Sequence, residues 1–269
     1  MLGLNRVKKY SLNMGAGQVG AIAFGKGDKP LVLIPGLSLQ GVREAGASLA
    51  IAYRIFAKDY RVWVFDRKTP ADKSCTIQSL ADDLALAMAT MGIEKACVLG
   101  VSMGGMIGQY LAIGYPQLVG KLALGVTASQ ADPLLAETVA RWLQFAEAED
   151  WRALAEDMFA RMYSPGYLKK HKLLLPLAIR LAKPADPEQF KILAKACLTV
   201  DCYSGLSQIR CPAMVLGGKE DKVLGREASE KIAAKLHCPL WLYPGLGHSA
   251  YEEAPDFNKK VLDFFSGSS

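Results

Sequence analysis

Ser102 lies between two glycines, Gly100 and Gly104, where two different stretches of chain meet. Ala96 to Val101 is an apolar run of strand length, and Met106-Ile107-Gly108-Gln109-Tyr110-Leu111-Ala112 has the character of a helix. A chain that passes from a buried strand into a helix over so few residues must turn very tightly. The positions two before and two after the tip then have no room for a side chain, so glycine is required at both. Gly100-x-Ser102-x-Gly104 in this setting is the nucleophile-elbow pattern, which presents a serine hydroxyl at the tip of the turn. The three-residue pattern alone arises by chance in about one chain in ten of this length. Its weight comes from the strand, the helix, and an acid and a histidine that follow downstream in that order.

The rest of the chain supplies a sheet for this turn to sit on. Val7 to Leu12 and Val19 to Phe24 flank the turn residues 13–17 and predict a hairpin. Leu31 to Ile34 is wholly apolar, as in a strand covered on both faces. Further strands are expected over 61–65, 96–101, 119–126, 211–217 and 239–243. Helices are expected over 47–58, 76–91, 226–236 and 255–265, with Gly92 closing the second of them. Strand and helix in alternation imply an α/β fold: a mostly parallel eight-stranded sheet with helices on both faces. Residues 129–207 break the rhythm. They show no convincing strand, several helical faces, and Pro165, Pro176, Pro184 and Pro187 as punctuation. They are expected to form a helical cap inserted into the core, whose two parts are residues 1–128 and 208–269. Most aromatics and methionines of this insertion are expected to pack helix on helix, with one or two facing a pocket. The last four residues, 266–269, read as a frayed tail.

Composition narrows the function. The chain has 269 residues, 51% hydrophobic and 22% charged, enough for a large core. The net charge of +6 comes without a dense basic run interleaved with aromatics, so no nucleic-acid partner is expected. Residues 1–9 hold no leader-like apolar segment, and no apolar stretch approaches the roughly 18 residues of a membrane span. No membrane partner is expected on this basis. The six cysteines form no metal-type pairs and read as reduced thiols, which points to a cytoplasmic protein without a metal or cofactor. Cys97 and Cys211, in or beside apolar runs, are expected to fill the core.

A serine hydroxyl becomes a useful nucleophile only beside a base, and the base needs an orienting partner. There are three histidines. His171 lies in the basic stretch Lys169-Lys170-His171-Lys172 and reads as solvated, while His237 ends a helix, where positive charge is favourable. His248, in the loop Pro244-Gly245-Leu246-Gly247-His248-Ser249 after a strand, is the expected base. The acid should follow a strand between serine and histidine. Asp221 fits, with its neighbour Glu220 as competitor. Asp66, at a strand end, is expected to tie a loop. The backbone N–H groups of Leu37, in Pro35-Gly36-Leu37-Ser38, and of Met103 are the candidate oxyanion donors. Their side chains would then line an apolar pocket.

Ser102, Asp221 and His248, in that order and with this elbow, resemble the α/β-hydrolase superfamily, and the resemblance spans nearly the whole chain. It is most similar to single-domain serine hydrolases with a helical cap after the sixth strand, among them carboxylesterases and carbon–carbon-bond hydrolases of ring-cleavage products. Many members carry His-Gly at the oxyanion loop, where this chain has Pro35-Gly36. The resemblance implies a serine esterase that cleaves a carboxylic ester of a small, largely apolar molecule through an acyl-enzyme. Carbon–carbon bond hydrolysis, or cleavage of a thioester or acyl-carrier ester, is the second expectation, the latter with an acidic carrier protein attracted to Lys169–Lys172. A ligand-sensing receptor on a hydrolase scaffold is the third. A serine rather than an aspartate at the elbow argues against a haloalkane dehalogenase or an epoxide hydrolase.

Overall fold

The computed structural model describes residues 7–267; the readings made for residues 1–6 and for the last two residues of the tail lie outside them. Eight strands form one sheet: β1 (Lys8–Asn13), β2 (Gln18–Phe24), β3 (Lys29–Ile34), β4 (Tyr60–Phe65), β5 (Ala96–Val101), β6 (Val119–Gly125), β7 (Ala213–Gly218) and β8 (Leu240–Tyr243). Their spatial order is β1-β2-β4-β3-β5-β6-β7-β8. β2 pairs antiparallel with β1 and with β4, and every other pairing is parallel. The central strands β3, β5, β6 and β7 end in unbroken buried runs, as a sheet covered on both faces requires.

Two apolar layers cover the two faces of the sheet. On one face α2 (Ile77–Thr90), α3 (Met103–Gly114) and α9 (Arg226–Leu236) contribute Leu80, Leu84, Met88, Ile107, Leu111 and Ile232. On the other, α1 (Gly46–Ala52) and α11 (Phe257–Ser266) contribute Ala50, Phe257, Val261 and Phe265, beside the short helix α10 (Ala250–Glu253). The ends of α2 follow from its sequence. Thr76 and Ser79 cap its N-terminus reciprocally. At its C-terminus Gly92, at φ 68°, lets Ile93 N–H reach Met88 O and Gly92 N–H reach Ala89 O.

Between β6 and β7 run α4 (Pro133–Glu147), α5 (Trp151–Met162), α6 (Pro165–Lys170), α7 (Leu175–Leu181) and α8 (Pro187–Cys197). They are tied to the rest of the chain at defined points. Ala185 N–H donates to Leu39 O, Ser249 N–H to Met162 O, and Gln189 bonds the backbone of Lys68 and Ala71.

Three local expectations need correction. The helix over 47–58 is two pieces, α1 and a 3-10 turn at Arg54–Lys58, because Tyr53 leaves helical geometry between them. Cys97 and Cys211 are only half-buried; Cys197 and Cys202 are the cysteines inside the core. His171 is half-buried rather than solvated: its ring packs 4.0 Å from that of Tyr167, and its Nδ1 lies 2.9 Å from Tyr167 O.

Candidate active site

Ser102 joins β5 to α3 with φ 54° and ψ −122°, a backbone conformation that costs a non-glycine residue about 1–3 kcal/mol. The turn is held by its neighbours. Ser102 N–H donates to Gly125 O, Thr127 Oγ donates to Ser102 O at 2.7 Å, and buried Gln109 donates from Nε2 to Gly105 O and Ala128 O. Val126, at the end of β6, is itself at φ 44°, an outlier for a β-branched residue.

The glycines are explained by what surrounds them. A Cβ on Gly100 would lie 2.4 Å from Gly104 O, and one on Gly104 would lie 1.9 Å from Ile34 O. Gly104 is therefore where α3 passes directly against the end of β3. The loop after β3 comes equally close to the serine: a Cβ on Gly36 would be 3.2 Å from Ser102 Cβ.

His248 and Asp221 come to Ser102 from the loops after β8 and β7. His248 Nε2 lies 2.9 Å from Ser102 Oγ, and His248 Nδ1 lies 2.9 Å from Asp221 Oδ2. His248 is 3% exposed and Asp221 8%, so the chain is shielded except at the serine end. The other oxygen of Asp221 accepts the backbone N–H groups of Val223 and Leu224 at 2.8 and 3.0 Å. Burial pushes this carboxyl up; the facing imidazole and the two N–H groups outweigh it and hold it below the ordinary 3.8. Glu220, the competitor, is exposed.

A carboxyl with a lowered folded pKa stabilises the fold above its unfolded value, and that contribution is lost as pH falls through the folded value. The stability advantage of the native protein over Asp221→Asn should therefore shrink in urea unfolding as pH drops from neutral to about 3. An advantage that stays constant across that range would contradict this reading of Asp221.

The remaining candidates separate cleanly. Asp66 ties the loop after β3, accepting from Val42 N–H and Arg67 N–H. His171 lies just beyond α6, and His237 caps α9 in the left-handed region. Met103 begins α3, so its N–H has no acceptor within the helix.

Sequence reasoning missed Arg67. It is buried, its Nη2 donates to Pro35 O at the start of the Pro35–Ser38 loop, and its Nε has no hydrogen-bond partner among the described residues. A charge directly after an apolar strand usually ends in solvent, and no local pattern shows that a carbonyl far upstream takes it.

Two cavities meet this loop. One of about 460 Å³ is bounded by Gly36, Met103, Arg67, Gln189 and Phe190. Another of about 450 Å³ is bounded by Leu37, Met158, Phe159, Met162 and Leu181. Among the described residues, no cluster of His, Cys, Asp or Glu is arranged to hold a metal ion, and no helix is long and apolar enough to cross a membrane.

A family model described as alpha/beta hydrolase fold matches residues 29–255. Among curated proteins, the chain is 26% identical over 224 residues to the RutD protein of Caulobacter sp. strain K31, whose name makes it a candidate carbamate hydrolase. That match covers 82% of this chain and 83% of the relative. It is 24% identical to 3-oxoadipate enol-lactonase 2 of Acinetobacter baylyi, covering 88% and 89% of the two chains. It is 27% identical to the 2-hydroxy-6-oxo-6-phenylhexa-2,4-dienoate hydrolase of Burkholderia cepacia, covering 83% and 81%. Among solved structures, the enol-lactonase of Burkholderia xenovorans LB400 superposes with a TM-score of 0.84 at 21% identity, covering 96% of this chain and all of that one.

Proposed function

The chain belongs to the alpha/beta hydrolase fold family and is a hydrolase, and from that premise we propose that it cleaves a carboxylic ester of a small, largely apolar molecule through an acyl-enzyme on Ser102. The observation that carries this reading is the continuous hydrogen-bonded line from Ser102 Oγ through His248 to Asp221. In the proposed reaction Ser102 Oγ attacks the ester carbonyl and His248 Nε2 takes its proton. Asp221 holds the imidazole in the tautomer that presents Nε2 as acceptor and stabilises the imidazolium that forms. The carbonyl oxygen becomes an oxyanion, for which Leu37 N–H and Met103 N–H are the proposed donors. His248 then gives its proton to the leaving alkoxide. In the second half it takes a proton from water as the water attacks the acyl-enzyme, then returns that proton to Ser102 Oγ as the acyl C–O bond breaks and the acid leaves.

Helices α4–α8 are proposed as the cap of this site. The cavity bounded by Leu37, Phe159 and Met162 is supported as the acyl or alcohol pocket by its apolar lining. The six free cysteines support a reducing, cytosolic setting as part of the same proposal.

The names of the relatives favour one second reading. The hydrolases of 2-hydroxy-6-oxo compounds among them support carbon–carbon bond cleavage by the same three side chains. A panel of p-nitrophenyl esters, an acyl thioester and a 2-hydroxy-6-oxo dienoate separates the two. Turnover of the short esters well above that of the dienoate is expected; turnover of the dienoate alone would replace the ester reading by the second one.

Arg67 enters this proposal as a positioning residue. Many relatives in this superfamily carry a histidine before the loop glycine, where this chain has Pro35; here a guanidinium from the end of β4 holds the Pro35 carbonyl instead. A hydrogen bond from a charged donor contributes about 1.5 kcal/mol, roughly tenfold in rate. Arg67→Met is therefore expected to lower kcat about tenfold with KM little changed. An equal rise in KM with constant kcat would place Arg67 in substrate binding instead.

A further inference from the structure

From Met158 to Ala185 the chain carries Arg161, Lys169, Lys170, Lys172, Arg180 and Lys183 and no carboxylate. Arg161 is paired with Asp157, but the other five cations make no ion pair among the described residues. Glu252 and Glu253, which pack against this region, are engaged by Tyr163 and Ser164. The same stretch exposes leucines: Leu173 is 87% exposed, Leu174 66%, Leu177 55% and Leu181 69%. Leu174, Leu177 and Leu181 follow one another at three- and four-residue spacing, so they share one side of α7. Elsewhere among the described residues the large exposed apolar side chains are Ile51, Ile55, Leu86, Leu198 and Trp241, with no comparable run.

We propose that the α6–α7 face docks on an anionic phospholipid surface, with the leucines entering the acyl boundary and the five cations at headgroup level. An exposed apolar stripe flanked by Lys and Arg is the pattern of helices that lie in the membrane interface. The lysines can keep their charge among the headgroups while their stems lie along the apolar layer. The charge argues against a second copy of this chain as the occupant. A two-fold contact through this face would bring two sets of five unpaired cations together. It departs from the expectation of no membrane partner, which rested on the lack of a spanning segment; an interfacial helix needs none.

The face also leads inward. Ala178 and Leu181 of α7 form part of the wall of the cavity that reaches Leu37. On the ester-hydrolase reading, a docked molecule would take an apolar acyl ester from the bilayer directly into that cavity. The docking itself does not depend on that reading.

The test is co-sedimentation of the full chain with vesicles of phosphatidylglycerol and phosphatidylcholine, compared with phosphatidylcholine alone, at low salt. Partitioning at least about tenfold stronger onto the anionic vesicles is expected. Leu173→Ser with Leu177→Ser should weaken it about tenfold. Lys169→Glu, Lys170→Glu and Lys172→Glu together should abolish it. Neither set touches the Ser102 site, so turnover of a short soluble ester should be unchanged in both. No binding to anionic vesicles by the native chain would overturn the proposal. So would binding that is indifferent to the leucines, a leucine-dependent dimer in sedimentation velocity, or capture of an acidic acyl carrier protein without vesicle binding. Because vesicle binding is read without turnover, its failure is distinct from failure of the ester reading.

Discussion

Ser102→Ala is expected to lower kcat on p-nitrophenyl butyrate by about 10⁴-fold or more while leaving the fold intact. The side chain lost is one oxygen, and the backbone at φ 54° is as costly for alanine as for serine, so thermal unfolding should shift little. What disappears is the hydroxyl bonded to His248 Nε2. His248→Ala should fall to a similar level, and the double variant should be no worse than either single one, because the groups act as a unit. A purified Ser102→Ala protein within tenfold of the native rate would remove the serine from the reaction.

The second large effect lies in the fold that holds the serine. In Gly104→Ala the new methyl would sit 1.9 Å from Ile34 O and 2.7 Å from Pro35 O. Both are backbone atoms at the end of β3, so no side chain can swing away to make room. Either α3 lifts off β3 or the Pro35–Ser38 loop is displaced from Ser102. We expect a loss of about 3 kcal/mol or more in urea unfolding, and activity near that of Ser102→Ala in whatever protein folds. Gly108→Ala is the control. It lies one turn further along α3, its nearest neighbour would be 3.4 Å away at Leu122 Cδ1, and alanine is the better helix former. It should be neutral or slightly stabilising. Equal damage from both substitutions would show that glycine in α3 matters for another reason than the contact with β3.

Which parts of this molecule could be read from the sequence has a physical cause. The strands β3, β5, β6 and β7 are buried on both faces, so their residues have to be apolar in succession, and that signal is local. The elbow pattern is equally local in sequence, and Gly100 is fixed by contacts within a few residues, although the close contact that fixes Gly104 is made with the end of β3. The order of Ser102, Asp221 and His248 along the chain restricts the choice of partners, and the structure brings their side chains within hydrogen-bonding distance.

Other features are settled at a distance. The break at Tyr53 lies inside a stretch whose composition suits one continuous helix. Tyr167 lies four residues before His171, but the surrounding lysines dominate the local pattern, and nothing in it shows that the two rings pack together at a tilt. The bond from Arg67 to Pro35 joins two strand ends that become neighbours only once β3 and β4 pair in parallel. The leucines of α7 recur at helical spacing, yet periodicity alone does not say whether anything lies against that side.

The most direct measurement is stoichiometric labelling with a fluorophosphonate, followed by mass spectrometry of the intact chain and its peptides. One adduct per chain is expected, on Ser102, with labelling lost in His248→Ala and slowed severely in Asp221→Asn. No adduct, or an adduct on another residue with Ser102 unmodified, would contradict the account.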